Sequence, residues 1–156
     1  MQRSVTHSTF VIERVYPVAP ERVFAALSNP EAKRRWHSDF NSRETLEFQS
    51  DFRVGGAEHA LYRMGQSTPL PGAELLNRAV YLEIVPGERI VTAYTMALNS
   101  RIFSASLATF QLAPAEAGTL LTFTEQGAFF EGSDGPQMRE AGWRKLLDAV
   151  AAELAH

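Results

Sequence analysis

The side chains able to do chemistry are few and far apart. Arg14, His59 and Glu125 each sit in a segment where polar and apolar residues alternate. Strand alternation groups Arg14 with Phe10, Ile12 and Tyr16, His59 with Ala57 and Leu61, and Glu125 with Leu121 and Phe123. Turned inward, Arg14 would hold a carboxylate or phenolate, and His59 would be a general base. An inward Glu125 would have a raised pKa or pair with Arg14. Each also has a structural reading, which is the expectation for all three. Arg14 lies across a strand edge with its stem packed, His59 is a hydrogen-bonded strand residue, and Glu125 emerges into solvent at a strand end.

Other chemistries are excluded more directly. The chain has no cysteine, which removes disulfides, thiolate catalysis and cysteine-ligated metals. His7, His37 and His156 are widely separated and lack ligand spacing with acids, so no metal and no cofactor is expected. Ser106 lies in "SLATF", without the glycine-flanked elbow of serine hydrolases. Gly127 and Gly132 do not make a phosphate loop. The net charge is −3 and basic residues are scattered, which argues against nucleic acid. Their one cluster, Lys33-Arg34-Arg35, reads as a solvated helix end complementing the dipole. No apolar run approaches the ~18 residues of a membrane span, and Met1 to Thr9 lacks an apolar signal core. No membrane partner is expected, and the absence of cysteine suits a cytoplasmic setting. With 156 residues, 45% of them hydrophobic, residues 1–156 read as one domain.

The elements that must position these groups follow from periodicity. Thr9 to Val18 reads as a strand limited by Pro17. Pro20 to Leu27 and Glu31 to Trp36 read as short helices, separated by Asn29-Pro30. Strands then recur: Leu46 and Phe48 alternate with polar neighbours, Phe52 and Val54 run up to Gly55-Gly56, and Glu58 to Met64 returns. The segments 76–85, 89–96, 104–112 and 119–126 follow with short connections, the pattern of an antiparallel meander. The stretch "DFRVGG" (Asp51 to Gly56) marks a hairpin. From Pro136 to Leu154 one long helix carries the row Met138, Gly142, Leu146, Val150 and Leu154, beside Trp143, Leu147 and Ala151. Ser133 or Asp134 is placed to cap it. Alternation assigns the inward faces to Val80, Leu82 and Ile84; to Ile90, Thr92 and Tyr94; to Ala108, Phe110 and Leu112; and to Leu121 and Phe123.

This order gives an α+β layout, a curved antiparallel sheet wrapped around a long C-terminal helix. A curved sheet cannot touch a straight helix everywhere, so the space between is filled by large side chains or kept as a pocket. The expected role is binding of a small, mostly hydrophobic or aromatic molecule there, for carriage, sequestration or sensing. Trp36, Phe48, Tyr62, Tyr94, Phe110, Phe123 and Leu146 are the candidate lining residues, with His59 and Glu125 as polar groups.

The stretches "APERVFAALSNPEAKRRW", "DFRVGG", "YLEIVPGERIV", "GTLLTFTEQGAF" and "GWRKLLDAVAAEL" occur in an order that resembles the SRPBCC superfamily of START domains and the birch pollen allergen. Within it the chain resembles the branch named after the C-terminal domain of the activator of heat-shock-protein-90 ATPase. That resemblance implies the helix-grip fold, with two short helices after the first strand. It implies no single activity, since members range from ligand carriers to cyclases to cochaperone domains. Two further readings therefore stand beside ligand binding. One is a cyclase- or dehydratase-type enzyme in which His59, Glu125 or Arg14 converge. The other is an interaction module acting on a chaperone ATPase in a stress response. A free sheet edge also leaves a homodimer open.

Overall fold

In the computed structural model, which describes residues 4–156, β1 (Thr6–Tyr16) leads into two short helices, α1 (Pro20–Ser28) and α2 (Pro30–Lys33). Met1 to Arg3, part of the polar N-terminal segment, lie outside the described residues. The chain continues through β2 (Arg43–Ser50), β3 (Ala57–Met64), β4 (Glu74–Val85), β5 (Arg89–Leu98), β6 (Arg101–Ala115), β7 (Gly118–Phe129) and α3 (Pro136–Leu154). The strands form one antiparallel sheet in the order β1-β7-β6-β5-β4-β3-β2. Short turns join sequential neighbours from β2 to β7, and β1 returns to the far edge beside β7. The sheet curves around α3, which is the helix-grip architecture. Among the described residues no helix is long and apolar enough to cross a membrane.

Local chemistry explains the punctuation. Pro20 and Pro30 open α1 and α2, where a missing N–H costs nothing. The Asn29 side chain accepts from the N–H groups of Glu31 and Ala32 at 3.0 and 3.1 Å, capping α2. The helix expected to reach Trp36 instead widens after Lys33. Residues Arg34–Ser38 form a π-type turn closed by Asp39 N–H to Arg34 C=O at 3.0 Å. This turn buries Trp36, His37 and Ser38 together. Neither Ser133 nor Asp134 caps α3. The cap position is Gly135, at φ 84°, and Asp134 is engaged by Arg139.

The loop "DFRVGG" does more than reverse the chain. Strand β2 ends at Ser50, so Phe52 and Val54 belong to the loop and not to the strand. Phe52 packs edge-on between Phe24 of α1 (5.9 Å) and Tyr81 of β4 (5.0 Å). Gly55 N–H donates to Tyr81 C=O at 2.8 Å, and Tyr81 N–H donates to Gly56 C=O at 3.0 Å. Gly55 needs φ 83°, and a Cβ on Gly56 would run into the carbonyl oxygens of Asp51 and Arg53. The glycine pair thus closes a hairpin and ties it to the neighbouring strand.

The inward faces of β5, β6 and β7 follow alternation: Ile90, Thr92, Tyr94, Ala108, Phe110, Leu112, Leu121 and Phe123 are all buried. Strand β4 is a correction. Val80 and Leu82 are 43% and 49% exposed, and Ala79 and Tyr81 face the core. A register shift between Tyr81 and Glu83 flips the later residues, so Ile84 packs inward after all. On α3 the buried row is Arg139, Trp143, Leu147, Val150 and Leu154, while Met138 is 68% exposed. Strand β1 grips this helix from the side. Tyr16 Oη donates to Leu147 C=O at 2.9 Å, and the Arg14 guanidinium reaches Asp148 at 3.0 Å and Arg144 C=O at 3.3 Å.

Candidate functional site

The space between sheet and helix is divided. Its middle is solid: the Trp143 ring lies 4.2 Å from Phe123 and 5.8 Å from Phe110, Phe110 lies 4.9 Å from Phe123, and Phe10 follows at 6.2 Å. Towards the N-terminal half of α3 the packing opens into a cavity of about 260 Å³. Met138, Gly142, Trp143 and Leu146 form its helical wall, Tyr62, Asn77, Tyr94 and Met96 its sheet wall, and His37, Phe40, Ser42 and Arg43 its third side. Ser42, Met138 and Lys145 on its rim are exposed, so the cavity reaches solvent. A larger depression of about 490 Å³, bordered by His59, Arg78, Val80 and Ala105, lies over the sheet's outer face and touches no helix. The site between sheet and α3 is the better fit to a ligand pocket, with apolar walls and a few convergent polar groups.

Those polar groups are held by two networks. The π-type turn supplies the first. Tyr62 Oη and Ser38 Oγ are 2.6 Å apart, and His37 Nδ1 lies 3.2 Å from Tyr62 Oη and 3.5 Å from Ser38 Oγ. Burial, with Lys33 and Arg43 nearby, holds the His37 pKa down at about 3, so the imidazole is neutral. The Arg43 guanidinium stacks on Tyr62 at 3.8 Å and donates to His37 C=O at 2.7 Å, and its desolvation lowers its pKa.

The second network anchors α3. Arg139 is buried and donates to both Asp134 oxygens (2.8 and 3.0 Å), to Ser104 Oγ (2.7 Å), to Tyr94 Oη (3.1 Å) and to Glu125 (3.2 Å). Glu125 also accepts from Tyr94 Oη at 2.6 Å and Ser106 Oγ at 3.1 Å, and Trp143 Nε1 donates to Tyr94 Oη at 3.3 Å. Burial raises the Glu125 pKa, against the pull of Tyr94 and Arg139. Burial also raises the Tyr94 pKa, with Glu125 adding to it.

A further buried pair lies below the turn. Lys33 Nζ meets Glu58 at 2.8 Å, and Tyr81 Oη and Ser50 Oγ donate to the same carboxylate at 2.6 and 3.0 Å. Burial works against both charges, yet the pairing prevails: Lys33 is pushed up to about 12, and Glu58 falls to about 2. Lys33 is therefore not part of a solvated helix end. Its neighbour Arg35 forks onto Glu153 of α3 at 2.9 and 2.7 Å, and only Arg34 stays loosely engaged.

The neutral, buried His37 makes an acid limit. Its ordinary pKa is 6.5 and its folded value about 3, so the unfolded chain binds more protons between them. Stability should therefore fall as pH drops below about 6.5, by up to about 1.4 kcal/mol per unit from this group. Glu58, with its depressed pKa, adds its own loss only below about 4.5. Urea unfolding at pH 7, 6 and 5 should show a steeper acid loss in the native chain than in His37→Asn. An imidazole seen by NMR to titrate near 6.5 would remove this account.

Of the residues singled out by sequence, Tyr62, Tyr94 and Leu146 line the cavity. Phe110, Phe123 and Trp36 belong to the core, with the Trp36 indole donating to Ala26 C=O at 2.8 Å. Phe48 is half-buried on β2 and lies outside the cavity wall. Glu125 does not emerge into solvent; it is 0% exposed, one layer behind Tyr94. His59 is not a cavity residue, which corrects its place among the ligand-binding groups, and it takes the structural reading instead, a hydrogen-bonded strand residue. It sits on the sheet's outer face, half-exposed, with Nε2 2.9 Å from Glu47. The inward residues of β3 are Glu58, Ala60 and Tyr62, and His59 lies on the opposite face. His59, Glu125 and Arg14 thus occupy three separate places, and the convergence required of a cyclase does not form. Sequence reasoning missed His37, Arg43, Asn77 and Arg139. Only the fold brings the first three, from a turn and two strands, against α3.

Comparison with known proteins agrees with the architecture. The family described as "Activator of Hsp90 ATPase homolog 1-like protein" matches residues 17–155. Among solved structures, an uncharacterised protein from Rhizobium leguminosarum is 36% identical, with 99% of each chain covered and a TM-score of 0.91. The Mll3558 protein from Rhizobium loti is 47% identical, covering 96% of this chain and 99% of that one, with a TM-score of 0.84. An AHSA1-like protein from Aeromonas hydrophila, at 17% identity over 95% of this chain and 92% of its own, shares the fold with a TM-score of 0.66. No curated protein matches.

Proposed function

The chain belongs to the activator of Hsp90 ATPase homolog 1-like family, and on that footing we propose that it binds a small, mostly apolar molecule between the sheet and α3, as a carrier, sequestering protein or sensor. One observation carries this reading: the interior is not packed solid, but keeps a solvent-reaching cavity of about 260 Å³ walled by Tyr62, Tyr94, Met96, Trp143 and Leu146. Ligand pockets typically span ~300–1,000 Å³, so this one suits a guest of one or two fused rings. Buried side chains on both walls are fixed by hydrogen bonds, which pre-organises the site and lowers the ordering cost of binding.

The neutral two-ring fluorophore 1-naphthylamine should therefore bind saturably, with blue-shifted emission. Leu146→Trp places a larger ring into the cavity from a half-buried position of α3. It should weaken binding by more than about tenfold, ~1.4 kcal/mol, while the urea midpoint stays close to that of the native chain. Unchanged binding in Leu146→Trp would place the fluorophore elsewhere and end this reading.

A further inference from the structure

We infer that the guest of this cavity carries a carboxylate, seated against Arg43 with Lys145 at the rim; the inference rests on the ligand-binding reading above. Arg43 Nε is fully buried and has no hydrogen-bond partner, the one such side-chain atom among the described residues. Buried polar atoms are normally paired, and a buried cation demands an anion more strongly than a neutral donor demands an acceptor. Among the described residues no carboxylate lies within 4.0 Å of the Arg43 guanidinium, whose one recorded hydrogen bond runs from Nη2 to His37 C=O at 2.7 Å. Its face is already used by the Tyr62 ring at 3.8 Å. Nε itself is sealed, so the donor that Arg43 can turn towards the cavity it lines is Nη1, which has no protein partner among the described residues.

The neighbours of Arg43 are donors too. His37 Nδ1 faces the hydroxyls of Tyr62 and Ser38, which also bond to each other, and in the tautomer where it accepts from one of them the ring hydrogen is on Nε2. That nitrogen has no protein partner among the described residues, and the ring lines the cavity. Lys145 brings an ammonium to the rim with no carboxylate within salt-bridge distance. The one carboxylate on the lining, Asp134, is already held through both oxygens by Arg139. Charge within the cavity is therefore polarised: positive and donor-rich at Arg43, neutralised at Asp134, apolar between. A neutral guest would leave the Arg43 charge uncompensated, and a cationic guest would be repelled. A carboxylate with an aromatic body satisfies both the donors and the walls.

The test compares 2-naphthoate with its uncharged amide, 2-naphthamide, by calorimetry or fluorescence on the native chain, Arg43→Gln and Lys145→Met. In the native chain naphthoate should bind about ten- to hundredfold tighter than the amide. That preference should collapse in Arg43→Gln and shrink in Lys145→Met, an exposed position whose change leaves the fold intact. Amide binding should change far less than naphthoate binding across the three. Equal affinity of the native chain for the two compounds overturns the carboxylate inference and leaves the apolar cavity reading standing. Binding of neither overturns both. If Arg43→Gln does not fold, the native preference and its reduction in Lys145→Met decide the matter.

Discussion

Replacing Arg139 with methionine is expected to cost the fold about 3–5 kcal/mol, the usual penalty for removing one partner of a buried ion pair. Methionine keeps an apolar stem beside Phe129, whose ring lies 5.1 Å from the guanidinium carbon, so the loss is mainly electrostatic. What remains is Glu125, 0% exposed, with Tyr94 and Ser106 as its donors among the described residues. Its pKa, already raised by burial, must rise further once the cation is gone. A carboxyl with a raised folded pKa keeps its full contribution below the unfolded value near 4.5 and loses it as pH climbs through the folded value. The penalty of Arg139→Met should therefore be smallest in acid and grow towards neutrality. Adding Glu125→Gln removes the stranded charge and should recover part of the loss at pH 7. Urea unfolding of the single and double variants measures this. A penalty under about 1 kcal/mol at pH 7, or no recovery in the double variant, would mean that the cluster does not anchor α3. Function should follow stability, because the same turns of α3 carry Met138, Gly142 and Leu146 to the cavity.

How much of this was legible in sequence depends on the element. Strands β5 to β7 alternate cleanly, and their buried faces follow from pattern alone. Strand β4 carries apolar residues on both faces, "AVYLEIV", so alternation has two solutions, and a bulge then switches between them. Strand β3 misleads in a different way. The sets Ala57/His59/Leu61 and Glu58/Ala60/Tyr62 look equally suited to the core until Lys33 arrives from α2 to neutralise Glu58. A buried charge is legible only with its partner, and the partner comes from another element. Arg139 is the same case on α3, where a helical arginine reads as solvated until Glu125, Asp134 and Tyr94 surround it. The row Met138, Gly142, Leu146 was visible as a stripe, but its meaning changed. These first three members of the five-residue row line a cavity, while its last two, Val150 and Leu154, join Trp143 and Leu147 in the core. His37 could not be placed, because a helix read to its end at Trp36 gives no hint of the wider turn that buries the next two residues.

Trp143 is the divider between solid core and open cavity, and its removal should affect both. The indole touches Phe123, Phe110 and His37 with centroids at 4.2, 5.8 and 6.4 Å, and it also lines the cavity. Trp143→Ala should cost about 3–5 kcal/mol, the range for truncating a large buried aromatic. The emptied volume is continuous with the existing cavity of about 260 Å³, so it enlarges the site instead of forming a sealed void. A larger guest should then enter. Pyrene, too bulky for the native chain, is expected to bind the variant and to raise its melting temperature with concentration, as ligand linkage requires. Trp143→Leu should behave between the two, losing less stability and gaining less room. The readouts are urea midpoints and thermal shifts with and without pyrene. Were Trp143→Ala to lose under about 1 kcal/mol, or to gain no affinity for pyrene, the wall between core and cavity would have to stand elsewhere. In that case the 2-naphthoate site would not be bounded by the ring against which its body is placed here.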